Sequence, residues 1–286
     1  MGKIFWLASY PKSGNTWMRI LLTNYLRNSN EPADINELDG GPIASSRVWF
    51  DEWAGIEASA LNDTIIERLR PEVYRCLVRE TKEPLFMKVH DAWGRTDRKQ
   101  PLFPVDVTGG VVYIIRNPLD MVASCANHWG ISVAAAVDNL VNPDFALARS
   151  SGALSNQLCQ KLGSWSSHVQ SWVDQAGLPI CLVRYEDLHQ NTEAFFEQVV
   201  RFCGLPFDEK RVCKAVVFSN FAELKRQEEA SGFHEGPVTL SSSFFRRGQV
   251  GTWREELPLE LAERIIEAHG DVMRRFGYLD ADNNRL

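Results

Sequence analysis

The sequence predicts an α/β fold, a central parallel sheet flanked by helices, and two observations carry that prediction. Short apolar runs rich in β-branched and aromatic residues ("KIFWLAS", "FMKVH", "GGVVYIIR", "LPICLVR") recur between longer stretches of helical periodicity. A chain that alternates strand and helix in this way builds a parallel sheet covered on both faces. At 286 residues, 44% hydrophobic and 24% charged, it also has ample material for the core such a sheet needs. No internal repeat or low-complexity tail divides it, so residues 1–286 are expected to form a single domain.

The elements follow in order. "KIFWLAS" is a short buried strand, and "NTWMRILLTNYLRN" is a helix with Trp17, Ile20, Leu21 and Tyr25 at helical spacing. "EPLFMKVHDAW" is a strand after a turn, and the β-branched "GGVVYIIR" belongs at the sheet centre. In "NPLDMVASCANHW", Asn117 caps a helix, Pro118 suits its first turn, and Asp120 complements its positive end. "LPICLVRYEDL" is a further strand, followed by the helix "NTEAFFEQVVRFCG", which ends at Gly204. The amphipathic "ELAERIIEAHGDVMRRFG" closes the fold. Residues 28–60 and 226–245 break the alternation. Gly/Ser-rich with interspersed aromatics, they are expected to be acceptor and lid loops over a site.

Ligands of such sheets collect at the carboxyl ends of the strands. Here those ends are Ser9-Tyr10, Lys88 to His90, Arg116 and Tyr185, which together already look like an anion site. The formal net charge of -6 argues against a nucleic-acid partner, so the site must be a local positive pocket in a negative shell. The opening "MGKIFWLASY" is too short for a secretory signal, and no apolar run approaches the ~20 residues of a spanning helix. The expectation is a cytoplasmic protein with no membrane partner. Six cysteines without a CxxC pair or a His partner at metal spacing fit reduced thiols in that compartment.

"SYPKSGNTW" joins the first strand to the first helix. Unpaired backbone N–H groups converge there. Gly14 permits close approach, Ser13, Asn15 and Thr16 add short donors, and Lys12 adds a full charge, so the loop is expected to hold a phosphate. It is not a Walker A loop, which places lysine after the last glycine of G-x-x-x-x-G-K-[ST]; no such string occurs in the chain. With Lys12 ahead of Gly14, the charge sits at the loop entrance, beside whatever extends beyond the cradled phosphate.

The loop resembles the 5′-phosphosulfate loop of sulfotransferases that use 3′-phosphoadenosine 5′-phosphosulfate (PAPS). "YIIRNPLDMVASCANH" resembles the same family's 3′-phosphate motif through Arg116 and Ser124, and "FFRRGQVGTWREEL" its C-terminal phosphate clamp through Arg246, Arg247 and Gly248. The three signatures stand in the family's order and span most of the chain. The overall look is closest to bacterial enzymes that sulfate natural products.

The resemblance implies the P-loop-like nucleotide-binding sulfotransferase fold and transfer of a sulfuryl group from PAPS to a hydroxyl or amine of a small molecule. It assigns Lys12 to the bridging oxygen of the leaving phosphate, His90 in "FMKVHDAW" to the role of general base, and Lys88 to the sulfuryl oxygens. Ser124 couples 3′-phosphate recognition to Lys12, while Trp17, Tyr185 and Phe221 hold the adenine. No metal is required. Asp91 is a candidate to orient His90, although adjacent strand side chains point to opposite faces. Candidate acceptor walls are Trp49, Phe50, Trp53, Trp93, Trp129 and the segment "DFALARSSGALSNQ". The chain departs from the cytosolic animal enzymes at Asn15, where threonine is usual, after His90, and in lacking their C-terminal dimer motif, which leaves acceptor and oligomeric state open. Two other readings compete: a nucleotide kinase, which would need the missing Walker A loop, and a non-catalytic nucleotide-binding protein, which would have no use for Lys12 and His90.

Overall fold

The computed structural model describes residues 2–40, 43–149, 155–236 and 242–280. Four strands form the central sheet: β1 (Ile4–Ser9), β2 (Leu85–Val89), β3 (Thr108–Ile115) and, further along the chain, Ile180–Arg184. Their spatial order is β2, β1, β3, Ile180–Arg184, and every pairing is parallel. Because the chain leaves β1 for one neighbour and returns to its other side as β3, the crevice between β1 and β3 is a switch point, where such sheets open for ligands.

The alternation along β1 explains why its run is apolar throughout. Ile4, Trp6 and Ala8 enter one hydrophobic cluster, while Phe5 and Leu7 enter another across the sheet. In β3, Val111, Tyr113 and Ile115 face the first cluster and Val112 and Ile114 the second. Burial on both faces fixes the register, since a slip of one residue would exchange the two sets. That register sets Ala8 against Val89, Ser9 against Ile114 and Ile115 against Arg184. The residues after these positions therefore emerge together at one edge.

The helix α1 (Asn15–Arg27) starts where expected, and so does the helix Pro118–Trp129, whose Asn117 side chain accepts the Leu119 N–H. The closing helix spans Leu259–Arg275. Both expected loop regions prove partly helical. Ser46 caps Arg47–Ala54, and Asn220 caps Phe221–Ser231. Phe50, with Trp49 and Trp53, turns one face of the former onto the large core cluster, which makes it a packing element rather than a site loop. A two-stranded antiparallel ladder, Ala146–Leu147 with Gln160–Lys161, was not foreseen, its strands being too short to show a period of two. Residues 237–241 of the expected lid and 150–154 of the expected acceptor segment lie outside the described residues, as do 41 and 42.

Candidate active site

One cavity of about 510 Å³ opens at the strand ends, a size typical of small-molecule sites. Of the residues singled out from the sequence as site residues, all but Ser13 line it: Lys12, Gly14, Asn15, Thr16 and Trp17 from the first loop and turn, Lys88 from β2 and His90 just past its end, Arg116 and Ser124 beside β3, then Tyr185, Phe221, Arg246, Arg247 and Gly248.

The first loop reaches this shape through two left-handed residues, Lys12 at φ 68° and Gly14 at φ 102°. Gly14 precedes α1 without any side-chain cap, so the first-turn N–H groups are left to a ligand. A Cβ on Gly14 would stand 2.7 Å from the Tyr185 ring, which makes glycine obligatory for a second reason. Two side chains do not act as expected. Ser13 Oγ donates to Met121 Sδ at 3.6 Å, and Asn15 Nδ2 donates to Leu7 O at 2.7 Å and Ser9 Oγ at 3.1 Å. Both brace the loop from beneath, because polar groups buried at this depth must be satisfied within the protein. Asn15 is thus a strut where the sequence suggested a ligand donor.

Arg116 leaves the end of β3 and lies over the Tyr185 ring, 4.2 Å from its centroid, donating to Lys12 O and Gln249 O. Glu186 accepts the Asn117 N–H at 2.9 Å and so steadies the turn that carries Arg116. The third motif is pinned from an unexpected direction: the Asp120 carboxylate accepts the Gly251 and Trp253 N–H groups at 2.7 and 2.9 Å. Arg246 pairs with both oxygens of Glu256, and Arg247 with Glu255 and Glu256. The clamp arginines are thus already held by acids. Even so, Arg116 Nε and Arg246 Nε are buried without a hydrogen-bond partner.

His90 Nδ1 meets Ser9 O at 2.9 Å; a carbonyl only accepts, so Nδ1 carries the proton and Nε2 is left with a free lone pair. Burial, reinforced by Lys88, holds the imidazole well below its ordinary pKa, hence neutral. Asp91 plays no part in this, since its carboxylate is spent on Arg70 in an ion pair at 2.7 Å with both side chains almost fully buried. The orienting group is the β1 backbone instead. Behind it, the Tyr113 hydroxyl donates to His168 Nδ1 at 2.8 Å and His168 Nε2 donates to His90 O at 3.1 Å. The Lys12 ammonium faces the Phe244 ring 3.6 Å from its centroid, and burial lowers its pKa to about 7, with Lys88 and Arg116 adding to the effect.

Trp49, Phe50, Trp53, Trp93 and Trp129 belong to or pack on the core, and none lines the cavity. Its lining also includes Leu147 and Gln157, both in the segment "DFALARSSGALSNQ" expected to wall the acceptor, and Ile43 from the expected loop 28–60, while His128 and Phe244 stand inside two of the motifs without having been given a role. Glu235, also missed, bonds Arg19 and Lys88.

This constellation on this fold matches a known class. Residues 3–277 match the family model described as "Sulfotransferase domain", so the chain belongs to the sulfotransferase family and is a sulfotransferase. Among curated relatives, Sulfotransferase 2B1 of Mus musculus is 25% identical over 275 residues, covering 93% of this chain and 70% of the relative. Sulfotransferase 1A1 of Canis lupus familiaris is 25% identical over 281 residues, covering 95% and 83%. In fold, the chain is similar to a mouse sulfotransferase crystallised with PAP, at TM-score 0.57 and 20% identity, covering 95% of this chain and 85% of the other. A retinol dehydratase in complex with retinol and PAP gives TM-score 0.61 at 16% identity, covering 95% and 81%. Among the described residues no helix is long and apolar enough to cross a membrane.

Proposed function

We propose that the protein transfers a sulfuryl group from PAPS to a hydroxyl or amine of a small-molecule acceptor, in the cytoplasm and in modification of a natural product. The observation that carries the reading is the convergence of Lys12, Lys88, Arg116 and Arg246 on one cavity in a chain of net charge -6. The cavity suits the donor in further respects. Its buried Arg116 and Arg246 Nε–H groups await acceptors, α1 offers uncapped N–H groups, and the Trp17 and Tyr185 rings, 5.8 Å apart, offer a purine an aromatic wall.

In this reading Arg116, Ser124, Arg246, Arg247 and the Gly248 backbone hold the 3′-phosphate, and the loop from Lys12 to Thr16 holds the 5′-phosphate. Trp17, Tyr185 and Phe221 hold the adenine. His90 Nε2 takes the proton from the acceptor as its oxygen or nitrogen bonds to sulfur. As the bond from sulfur to the bridging oxygen breaks, Lys12 bonds that oxygen and offsets its growing charge, while Lys88 faces the sulfuryl oxygens. The products are the sulfated acceptor and 3′-phosphoadenosine 5′-phosphate (PAP), with the acceptor proton on His90. Six free cysteines favour a reducing compartment, and a mixed apolar and polar wall favours a small-molecule acceptor.

Calorimetric titration with PAP, AMP and ATP tests the donor. PAP should bind at least tenfold tighter than AMP, and Arg116→Ala should erase most of that margin, a loss of about 1.5–3 kcal/mol for a charge-assisted contact. Equal affinity for PAP and AMP would break the reading. Gly248 offers an independent check. It sits at φ 60°, and a Cβ there would collide with the Phe221 ring. Gly248→Ala should therefore push the loop or the Phe221 ring aside, weakening PAP binding about tenfold and lowering the melting temperature by a few degrees, the cost of a strained backbone.

A further inference from the structure

Arg19 is a cation in the wrong place for a surface residue. It lies on α1 with its side chain 5% exposed, and Glu235 takes its Nη1 with both carboxylate oxygens at 2.8 Å. The second of those oxygens also reaches Lys88 Nζ at 3.3 Å. One carboxylate thus stands between two cations, one from the first helix and one from the end of β2. The segment that carries it is itself fastened: Asn36 Nδ2 donates to Gly232 O at 3.1 Å, and Asn36 Oδ1 accepts the His234 N–H at 2.7 Å. Neither Arg19 nor Glu235 belongs to any of the motifs that predicted the site.

We propose that Glu235 is a positioning residue for sulfuryl transfer: braced by Arg19, it keeps Lys88 charged and fixes the direction in which that ammonium enters the cavity. This rests on the role given to Lys88 above.

The argument is one of charge balance. Taking an ammonium out of water is costly unless a counter-charge comes with it. Lys88 is 17% exposed, and the groups facing it are mostly hostile to its charge: Arg19 from α1, Lys12 from the first loop, neutral His90 and His128 beside it, with Glu235 the one carboxylate among the described residues. Burial lowers the Lys88 pKa, Glu235 raises it and Arg19 lowers it again. Burial likewise works against the Glu235 carboxylate, yet Lys88 and Arg19 hold its pKa below the ordinary value. Arginine cannot shed its proton, so if the carboxylate is removed it is Lys88 that must neutralise. Arg19 therefore does more than fill space. By engaging both oxygens it holds the carboxylate in place and leaves the remaining lone pair of one of them turned to Lys88. The trio keeps a net positive charge, which is what a sulfuryl group requires of it.

The test needs no acceptor. Competitive acetylation of Lys88 by acetic anhydride, followed by mass spectrometry across pH, gives its titration midpoint in the folded protein, and calorimetry gives the affinities for PAP and PAPS. Glu235→Gln should move the midpoint down by about one pH unit, tenfold in proton affinity, and reduce the preference for PAPS over PAP several-fold at pH 8, with PAP affinity unchanged. Arg19→Met should move the midpoint up, because a repelling charge is gone. Opposite movements cannot arise from general loosening, which would shift both variants the same way. If Glu235→Gln leaves the midpoint where it was, or tightens PAPS binding, the carboxylate is instead an obstacle in the sulfuryl position and the proposal is wrong. Should Glu235→Gln fail to fold, Glu235→Asp takes its place: the shorter side chain keeps the charge but withdraws it from Lys88, and a midpoint left where it was overturns the idea. Loss of 3′-phosphate preference in the wild type would instead be a failure of the donor assignment, and the Lys88 midpoints would still report on Glu235.

Discussion

Lys12→Met is expected to lower sulfuryl transfer by about 10²–10³-fold, the usual effect of deleting one donor to a developing oxyanion, while the protein folds and still binds PAP. Methionine keeps most of the length of the side chain and its apolar body but loses the ammonium over Phe244 and forms no bond to the bridging oxygen. The same residue should set the pH dependence of nucleotide binding. With a pKa of about 7 in the free protein, Lys12 is charged below pH 7 and increasingly neutral above it. A bound phosphate favours the charged form, so binding above pH 7 takes up a proton, and affinity should fall about tenfold per pH unit over that range. In Lys12→Met that slope should flatten, with Lys88 the remaining source of any residue of it. Calorimetry with PAP from pH 6 to pH 9 reads both, and a slope that survives the substitution unchanged would exclude Lys12 as its origin.

His90→Ala should keep PAP affinity within about threefold and lose about 10²–10⁴-fold in turnover with any acceptor the wild type sulfates, the range for removal of a general base. The direction of its pKa sharpens the expectation. Burial and Lys88 favour the neutral ring, so the base stays available below pH 6.5, and the acid limb of the wild-type kcat/KM profile should lie on the acid side of that value. The cost is a weaker base, compensated only if the acceptor proton is already loosened by neighbouring cations such as Lys88. Turnover near the wild-type level in the alanine variant would remove His90 from the chemistry.

The architecture was legible because burial on both faces writes strands as apolar runs, as in β1 and β3, and because even the less buried β2 and Ile180–Arg184 keep short apolar runs around Lys88 and before Arg184. The convergence of the motif residues on one cavity was legible for a related reason: they sit at strand ends and helix starts, where spacing along the chain is spacing in space. What failed did so where contacts are long-range. Asn15 and Ser13 were counted as ligand donors because their chemistry permits it. Only the positions of Leu7, Ser9 and Met121 show that those donors are used. Trp49, Phe50 and Trp53 were offered as pocket walls when their helical spacing already favoured a core face. Glu235 had no local signal at all, since its partners are 216 and 147 residues away.

The carboxylate of Asp120 has a consequence for kinetics. By holding the Gly251 and Trp253 amides, it joins the segment after Gly248 to the helix that carries Ser124, so two of the three segments proposed to hold phosphate travel as one body. The disorder that would otherwise be lost each time a nucleotide docks is lost once, when the chain folds. Association should therefore be fast and set by diffusion and charge, and the residence time of PAP becomes the candidate for the slowest step of the cycle.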